Sequence, residues 1–257
     1  MIEAAMPAAD YTAIILAAGF GSRIAEITED PKILLPIDGR PILHRHLAIF
    51  EELGIRNVVI VAGYRKRQVM DAAQPFADRL NIRFVDNDDY TRLGNGYSMY
   101  FGIQAAAGAS LIFDGDLVYA RDILERFVND GHSNAVLVGP GSLGDIECAK
   151  TLKDADGFAR MTVDKRAVTE DELARYKFAG EAIGVLKFDE ERRRRLIQEC
   201  EAFFADEGNL LKNWEHIMNR FLPAHDVWAH EEASEAFVEI DTPEDYEEAC
   251  RQFGRSD

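Results

Sequence analysis

The chain predicts an α/β fold, a mostly parallel sheet flanked by helices on both faces, with a small inserted lobe. Three observations predict it. Short continuous apolar runs alternate with amphipathic stretches through the first half, the pattern of strands buried on both faces and joined by crossover helices. Two of those runs stop at glycines, Gly19 and Gly63. Past residue 140 the texture changes to apolar–polar alternation around Asp154-Ala155-Asp156-Gly157, a hairpin signature with Asp-Gly at its tip.

Taken in order, residues 11–17 (Ile14, Ile15, Leu16 at the centre) read as a buried strand. Residues 41–53 place Leu43, Leu47, Phe50 and Leu53 at helical spacing, with Pro41 in the first turn and Gly54 as the stop. Residues 57–62 form the second strand, a polar helix covers about 66–76, and 82–85 form the third strand. Residues 97–107 are the next helix and 109–113 the fourth strand. A short strand at 135–138 precedes the hairpin of 146–163, and 184–188 returns to strand. A charged helix then carries Arg192–Arg195 on a solvated face, and another spans about 211–222. Thr242 caps a last helix to Phe253, with Pro243 in its first turn and Asp245 three residues past the cap. No repeat or linker interrupts the chain. The whole, residues 1–257, reads as one domain: a core of about 10–139 and 236–257, and a lobe of about 140–235.

Composition narrows the function. With 29 Lys+Arg against 46 Asp+Glu, the 257 residues carry a formal charge of −17. Such a surface repels phosphate backbones and disfavours nucleic acid as a partner. An anionic small substrate then requires a local focus of cations. The three cysteines, Cys148, Cys200 and Cys250, are widely spaced and without a Cys-x-x-Cys pair, which reads as free thiols in a reducing cytoplasm and argues against zinc. The first ten residues lack the basic and apolar segments of a signal peptide. The uncharged run 93–113 contains too many polar residues and glycines for a bilayer and is expected to be helix plus strand, so no membrane association is expected. Six scattered histidines form no plausible metal set.

The strongest chemical signal is Leu16-Ala17-Ala18-Gly19-Phe20-Gly21-Ser22-Arg23, followed by Pro31-Lys32. A glycine-rich turn leaving a buried strand can offer backbone N–H groups to a phosphate. It is neither of two familiar phosphate loops: Ile24 follows where a dinucleotide fingerprint needs a small residue, and the Gly-Lys-Ser/Thr of a P-loop is absent. What distinguishes it is a pair of cations, Arg23 and Lys32, brought to the mouth of one strand. That is the cationic focus the global charge demands.

These residues closely resemble nucleotidyltransferases that join a nucleoside triphosphate to a phosphorylated small molecule. The resemblance covers nearly the whole chain. It includes Asp38-Gly39-Arg40-Pro41, Asn57-Val58-Val59-Ile60-Val61-Ala62-Gly63-Tyr64, Asp114-Gly115-Asp116, Gly180-Glu181-Ala182-Ile183-Gly184 and Glu239-Ile240-Asp241-Thr242-Pro243. It implies the Rossmann-like sheet of the nucleotide-diphospho-sugar transferase type. It also implies Mg²⁺ held by Asp116 and Asp241, with Asp114 a weaker candidate, and nucleotide contacts from Leu16, Ala17, Ala18, Gly19, Gly21 and Ser22.

Gly94-Asn95-Gly96-Tyr97-Ser98 resembles inositol-phosphate cytidylyltransferases, whereas the Gly180 motif and Trp214-Glu215-His216 look more like bacterial phosphocholine cytidylyltransferases. Both relatives use CTP. By resemblance Asn95, Gly96 and Ser98 read the base, and Lys150 binds the acceptor's phosphate, with Glu181 nearby. Tyr97, Tyr100, Trp214 and Glu215 could form an aromatic and acidic wall for an ammonium. Lys187 reads as structural. The expected reaction is CMP transfer from CTP to a small phosphorylated alcohol or phosphonate by a monomer or homodimer. The alternatives are an inositol-phosphate or sugar-phosphate acceptor, or a non-catalytic nucleotide-binding regulator.

Overall fold

The computed structural model describes residues 6–24 and 26–254. Nine strands make one sheet: β1 (Tyr11–Ala17), β2 (Asn57–Ala62), β3 (Asn81–Asp86), β4 (Ala109–Asp114), β5 (Ala135–Gly139), β6 (Lys150–Lys153), β7 (Ala159–Val163), β8 (Lys177–Phe188) and β9 (Trp228–Glu231). Four of them, in the order β3-β2-β1-β4, run parallel and form the core. All seven residues of β1 are buried, because neighbours cover both edges and helices cover both faces. Alternation sorts its side chains: Ala13 and Ile15 join one apolar cluster, Ile14 and Leu16 the other.

Helices α1 (Ile42–Leu53), α2 (Lys66–Ala73), α4 (Arg121–Asn129) and α8 (Pro243–Phe253) cover the first face. Helices α3 (Asn95–Ala105), α6 (Glu190–Phe204) and α7 (Trp214–Phe221) cover the second, while α5 (Glu170–Arg175) buries nothing. No helix among the described residues is long and apolar enough to cross a membrane; the uncharged run 93–113 is α3 and β4.

The extension beyond β4 is antiparallel and turns on β8. Its last residues pair with β4, its first with β6 of the hairpin, and β5 lies along its other edge. The sequence predicts only the end of this strand, 184–188. The earlier part contains Gly180 at φ +146 and a register shift, which break the alternation a strand is recognised by. Gly184 sits at φ +72, and a Cβ there would lie 2.8 Å from Asp114 Oδ2. The bend therefore requires glycine.

Two further expectations are corrected. The four-arginine face of α6 is not all solvated: Arg193 is turned inward and donates to the carbonyls of Ile103 at 2.6 Å and Gly108 at 2.8 Å, satisfying the C-terminal end of α3 and its turn. The hairpin strand begins at Lys150, not 146, and the preceding residues form an irregular loop.

Candidate active site

Parallel strands present their C-terminal ends at one edge, and the glycine turn leaves β1 there. Gly21 has φ +66, and its Cα lies so close to Lys32 that a Cβ would meet Lys32 Cε at 3.3 Å. The turn thus admits the lysine side chain underneath it. Lys32 Nζ donates to Asp116 Oδ2 at 2.7 Å and to Asp241 Oδ1 at 2.8 Å. The guanidinium of Arg23 pairs with the other oxygen of Asp241 at 2.8 Å; its side chain is 56% exposed against 13% for Lys32. Lys32 is therefore fixed within the site, and Arg23 has room to swing.

Asp116 and Asp241 meet because of a small ribbon. Phe237–Glu239 pairs antiparallel with Leu117–Tyr119, and Ile240 N donates to the carbonyl of Asp116. Thr242 and Asp245 close a capping box at the start of α8, which fixes the residue just before it, Asp241. Glu239, two residues from Asp241, joins the cluster. One carboxylate oxygen each from Asp116, Glu239 and Asp241 lie within 4.8 Å of one another.

The electrostatics follow from this crowding. Burial opposes the charge on Lys32, but attraction and a hydrogen bond from Asp116, then from Asp241, outweigh it and raise its pKa above the ordinary lysine value. Burial likewise works against ionised Asp241, yet Lys32 first and Arg23 and Lys165 after it hold its pKa below the usual range. Asp114 and Glu239 go the other way. Enclosure of the carboxyl, then repulsion led by Asp116, pushes each well above the normal carboxylate range. Much of the Glu239 side chain is accessible, and Asp116, Asp114 and Asp241 crowd it with negative charge. Trp214 Nε1 donates to Asp114 Oδ2 at 3.1 Å.

Two cavities share this edge. A niche of about 150 Å³ is lined by Leu16, Ala17, Gly19, Gly21, Lys32 and Asn95, with Asp114 and Asp116 at its end. A cleft of about 650 Å³ continues from Arg23, Lys32 and the acids to the hairpin and α7. An adjoining pair of cavities joined at a cation–carboxylate cluster suits two anionic substrates reacting at their junction.

A family model, the MobA-like NTP transferase domain, matches residues 13–216 of this chain. The chain belongs to that family. It is 28% identical over 246 residues to the CMP-5'-(3-aminopropyl)phosphonate synthase of Streptomyces rubellomurinus, covering 94% of this chain and 38% of that protein. It is 24% identical over 235 residues to the choline-phosphate cytidylyltransferase of Streptococcus pneumoniae, covering 91% and 94%. The chain thus spans well under half of the first relative and nearly all of the second. In fold it is similar to the inositol-1-phosphate CTP transferase of T. maritima, with a TM-score of 0.74 at 18% identity over 96% of this chain and 98% of that one.

Within this MobA-like transferase, several residues singled out in the sequence lie away from the cavities. Lys150 is fully buried, its Nζ donating to the carbonyl of Cys148 at 2.6 Å. Its side chain does not line the cleft, although its neighbours Cys148 and Ala149 do. The cation on that wall is Lys165, two residues past the end of β7, which lines the cleft and has no hydrogen-bond or ion-pair partner among the described residues. Its signal was available: Asp164-Lys165 follows the last apolar residue of the hairpin.

Tyr97 and Tyr100 pack with Phe101 and Phe204 on the outer side of α3 and contribute nothing to the cleft. Ser98 is buried and accepts from Asn87 Nδ2 at 3.0 Å; Gly96 is buried against the backbone of Lys212. Ala18 is likewise buried, its carbonyl accepting from Tyr64 N. Ser22 opens a 3₁₀ turn over Ser22–Ile24. Asn95 does face both cavities, with its Oδ1 held by the backbone N–H of Trp214 at 3.1 Å. Trp214, Glu215 and Glu181 line the cleft. Lys187 is buried and donates to the carbonyls of Phe127 and Asp130.

Proposed function

We propose that this transferase moves CMP from CTP to a small phosphorylated alcohol or phosphonate and releases pyrophosphate in a reducing cytoplasm. The observation that carries the reading is Lys32, held between Asp116 and Asp241 where the glycine turn, the niche and the cleft meet. The names of the relatives above support cytidine as the nucleoside and a phosphonate or phosphate as the acceptor.

An oxygen of the acceptor's phosphate or phosphonate attacks the α-phosphorus. The new P–O bond forms as the bond to the bridging α–β oxygen breaks, and pyrophosphate leaves with the electron pair. The nucleophile is already an anion, so no side chain needs to take its proton. The work is positioning and charge neutralisation. Backbone N–H groups of the glycine turn and Arg23 receive the triphosphate, and Lys32 neutralises charge where the bond breaks. Lys165 draws the acceptor phosphate in from the lobe side. The amide of Asn95, anchored through its oxygen, turns its N–H donors toward the base or ribose.

The oxygen-only donor set of Asp116, Asp241 and Glu239 suits Mg²⁺, a hard cation that takes carboxylate and phosphate oxygens. When bound there, magnesium neutralises the phosphates and the departing pyrophosphate.

The test is pyrophosphate release from CTP with phosphocholine, 2-aminoethylphosphonate, inositol 1-phosphate and glucose 1-phosphate. Asp116→Asn is expected to lower turnover at least about a hundred-fold with melting unchanged. A near-normal rate removes Asp116 from the site, and CTP binding with no turnover on any acceptor favours a regulator.

A further inference from the structure

Gly63-Tyr64, which follows β2, takes no part in the chemistry above, yet it is in contact with the loop that carries Arg23. Tyr64 N donates to the carbonyl of Ala18 at 3.0 Å, just before the glycine turn. The Tyr64 ring meets Phe20 edge-on, with ring centroids 4.7 Å apart. Its hydroxyl donates to the carbonyl of Glu29 at 2.7 Å. One side chain thus holds both ends of the stretch 20–29, and Ile24, only 1% exposed, pins the middle of that stretch in the core. Arg23 stands beside the pin. Its one ion-pair partner among the described residues is Asp241. A guanidinium that must leave Asp241 for a phosphate needs a fixed backbone to swing from, because ordering the loop at the moment of binding would cost affinity.

Arg65 supports the same clasp. It adopts φ +45, a left-handed conformation that is unfavourable for a residue with a side chain and persists only where the surroundings impose it. From there its guanidinium reaches Glu29 Oε2 and Asp30 Oδ1, both at 3.0 Å, and Gln68 Nε2 donates to the same Asp30 oxygen at 3.1 Å. The carboxylates of Glu29 and Asp30 are exposed, and surface ion pairs of this kind contribute little. A hydrogen bond together with an edge-on aromatic pair outweighs them, so the hold rests chiefly on Tyr64.

We propose that Tyr64 is a positioning residue for the nucleotide: it clasps the glycine-turn loop at Phe20 and Glu29, so that Arg23 is set in place before the triphosphate arrives. This deepens the transferase reading above and rests on it. Tyr64 lines neither the niche nor the cleft and acts through Arg23.

Tyr64→Phe keeps the ring and removes the hydroxyl. In the nucleotide-free chain, hydrogen exchange over residues 19–31 is expected to quicken about five-fold, the scale of one hydrogen bond, with the rest of the sheet unchanged. CTP affinity, read by calorimetry, is expected to fall about five-fold, while KM for the acceptor moves less than about two-fold. Made on top of Arg23→Ala, the same change is expected to weaken CTP less than about two-fold further, because the clasp works through Arg23. Equal losses in the two backgrounds overturn the proposal, and so does unchanged exchange over 19–31. Phe20→Ala, which removes the other end of the clasp at an exposed position, is expected to give the same pattern and decides the matter if Tyr64→Phe does not fold. A chain that shows this pattern with CTP but releases no pyrophosphate with any acceptor keeps the clasp and overturns the transferase reading. Absence of CTP binding by the wild type overturns both.

Discussion

Lys32 takes the place of a positive counter-charge between two acids that would otherwise repel each other. Replacing it by methionine removes the ammonium that the proposed function places where the bond breaks and leaves Asp116 and Asp241 facing each other. Turnover is expected to fall at least about a hundred-fold, or about 2.7 kcal/mol in the barrier, in a steady-state assay. The two lobe lysines separate cleanly. Lys165→Met is expected to raise KM for the acceptor at least about ten-fold with little change for CTP, whereas Lys150→Met leaves acceptor KM within about two-fold, because Lys150 has no surface in the cleft. Equal effects in the two variants would refute this division. At this scale the sequence marked Arg23, Lys32, Asp116 and Asp241 through type and spacing, and the structure joins them in one chain of ion pairs. Lys150 is buried at the start of β6 with its ammonium on a backbone carbonyl, and its position in the sequence does not announce that burial. Glu239 was legible in the Glu-x-Asp spacing, which puts both acids on one side of an extended chain.

Helix α8 and strand β8 show how elements hold these side chains. Thr242→Ala removes half of the capping box and is expected to cost about 1 kcal/mol in a denaturant titration. It also loosens the backbone at Asp241, so activity is expected to fall further than stability alone explains. Gly184→Ala introduces a Cβ at 2.8 Å from Asp114 Oδ2 in a left-handed conformation. About 1–3 kcal/mol of stability is expected to be lost, with the Asp114 carboxyl displaced. The element order of the parallel core was readable because each strand there is a short apolar run between two helices. The ribbon strands Leu117–Tyr119 and Phe237–Glu239 were not, since three residues are too few for a period and their partners are far apart in sequence. Helix α5 buries no side chain, so no apolar stripe announced it.

Across the whole molecule, charge sets the behaviour. His46, on α1, is enclosed against Phe113 of β4 and Tyr119, and burial lowers its pKa to about 3. As pH falls below 6.5 the unfolded chain takes up a proton that the folded chain refuses until about 3, so stability declines with acidification over that window. Each pH unit within it costs about 1.4 kcal/mol. Chemical denaturation at pH 7, 6 and 5 is expected to show a shallower loss in His46→Leu than in wild type, and parallel slopes would rule out this source. The net charge of −17 was plain in the composition. Which acids turn inward was not, because that depends on where β8 carries the hairpin.

Strand β8 also has a mechanical meaning. It begins paired with the hairpin strand β6 and ends hydrogen-bonded to the strand whose tip bears Asp114 and leads to Asp116. One strand, bent at Gly180 and Gly184, thus joins the hairpin side of the cleft to the acids on its other side. Under the proposed transfer, amino-acid changes near its start are expected to retune what the cleft accepts while the far end keeps Asp114 and Asp116 in place, a simple route for this scaffold to new acceptors.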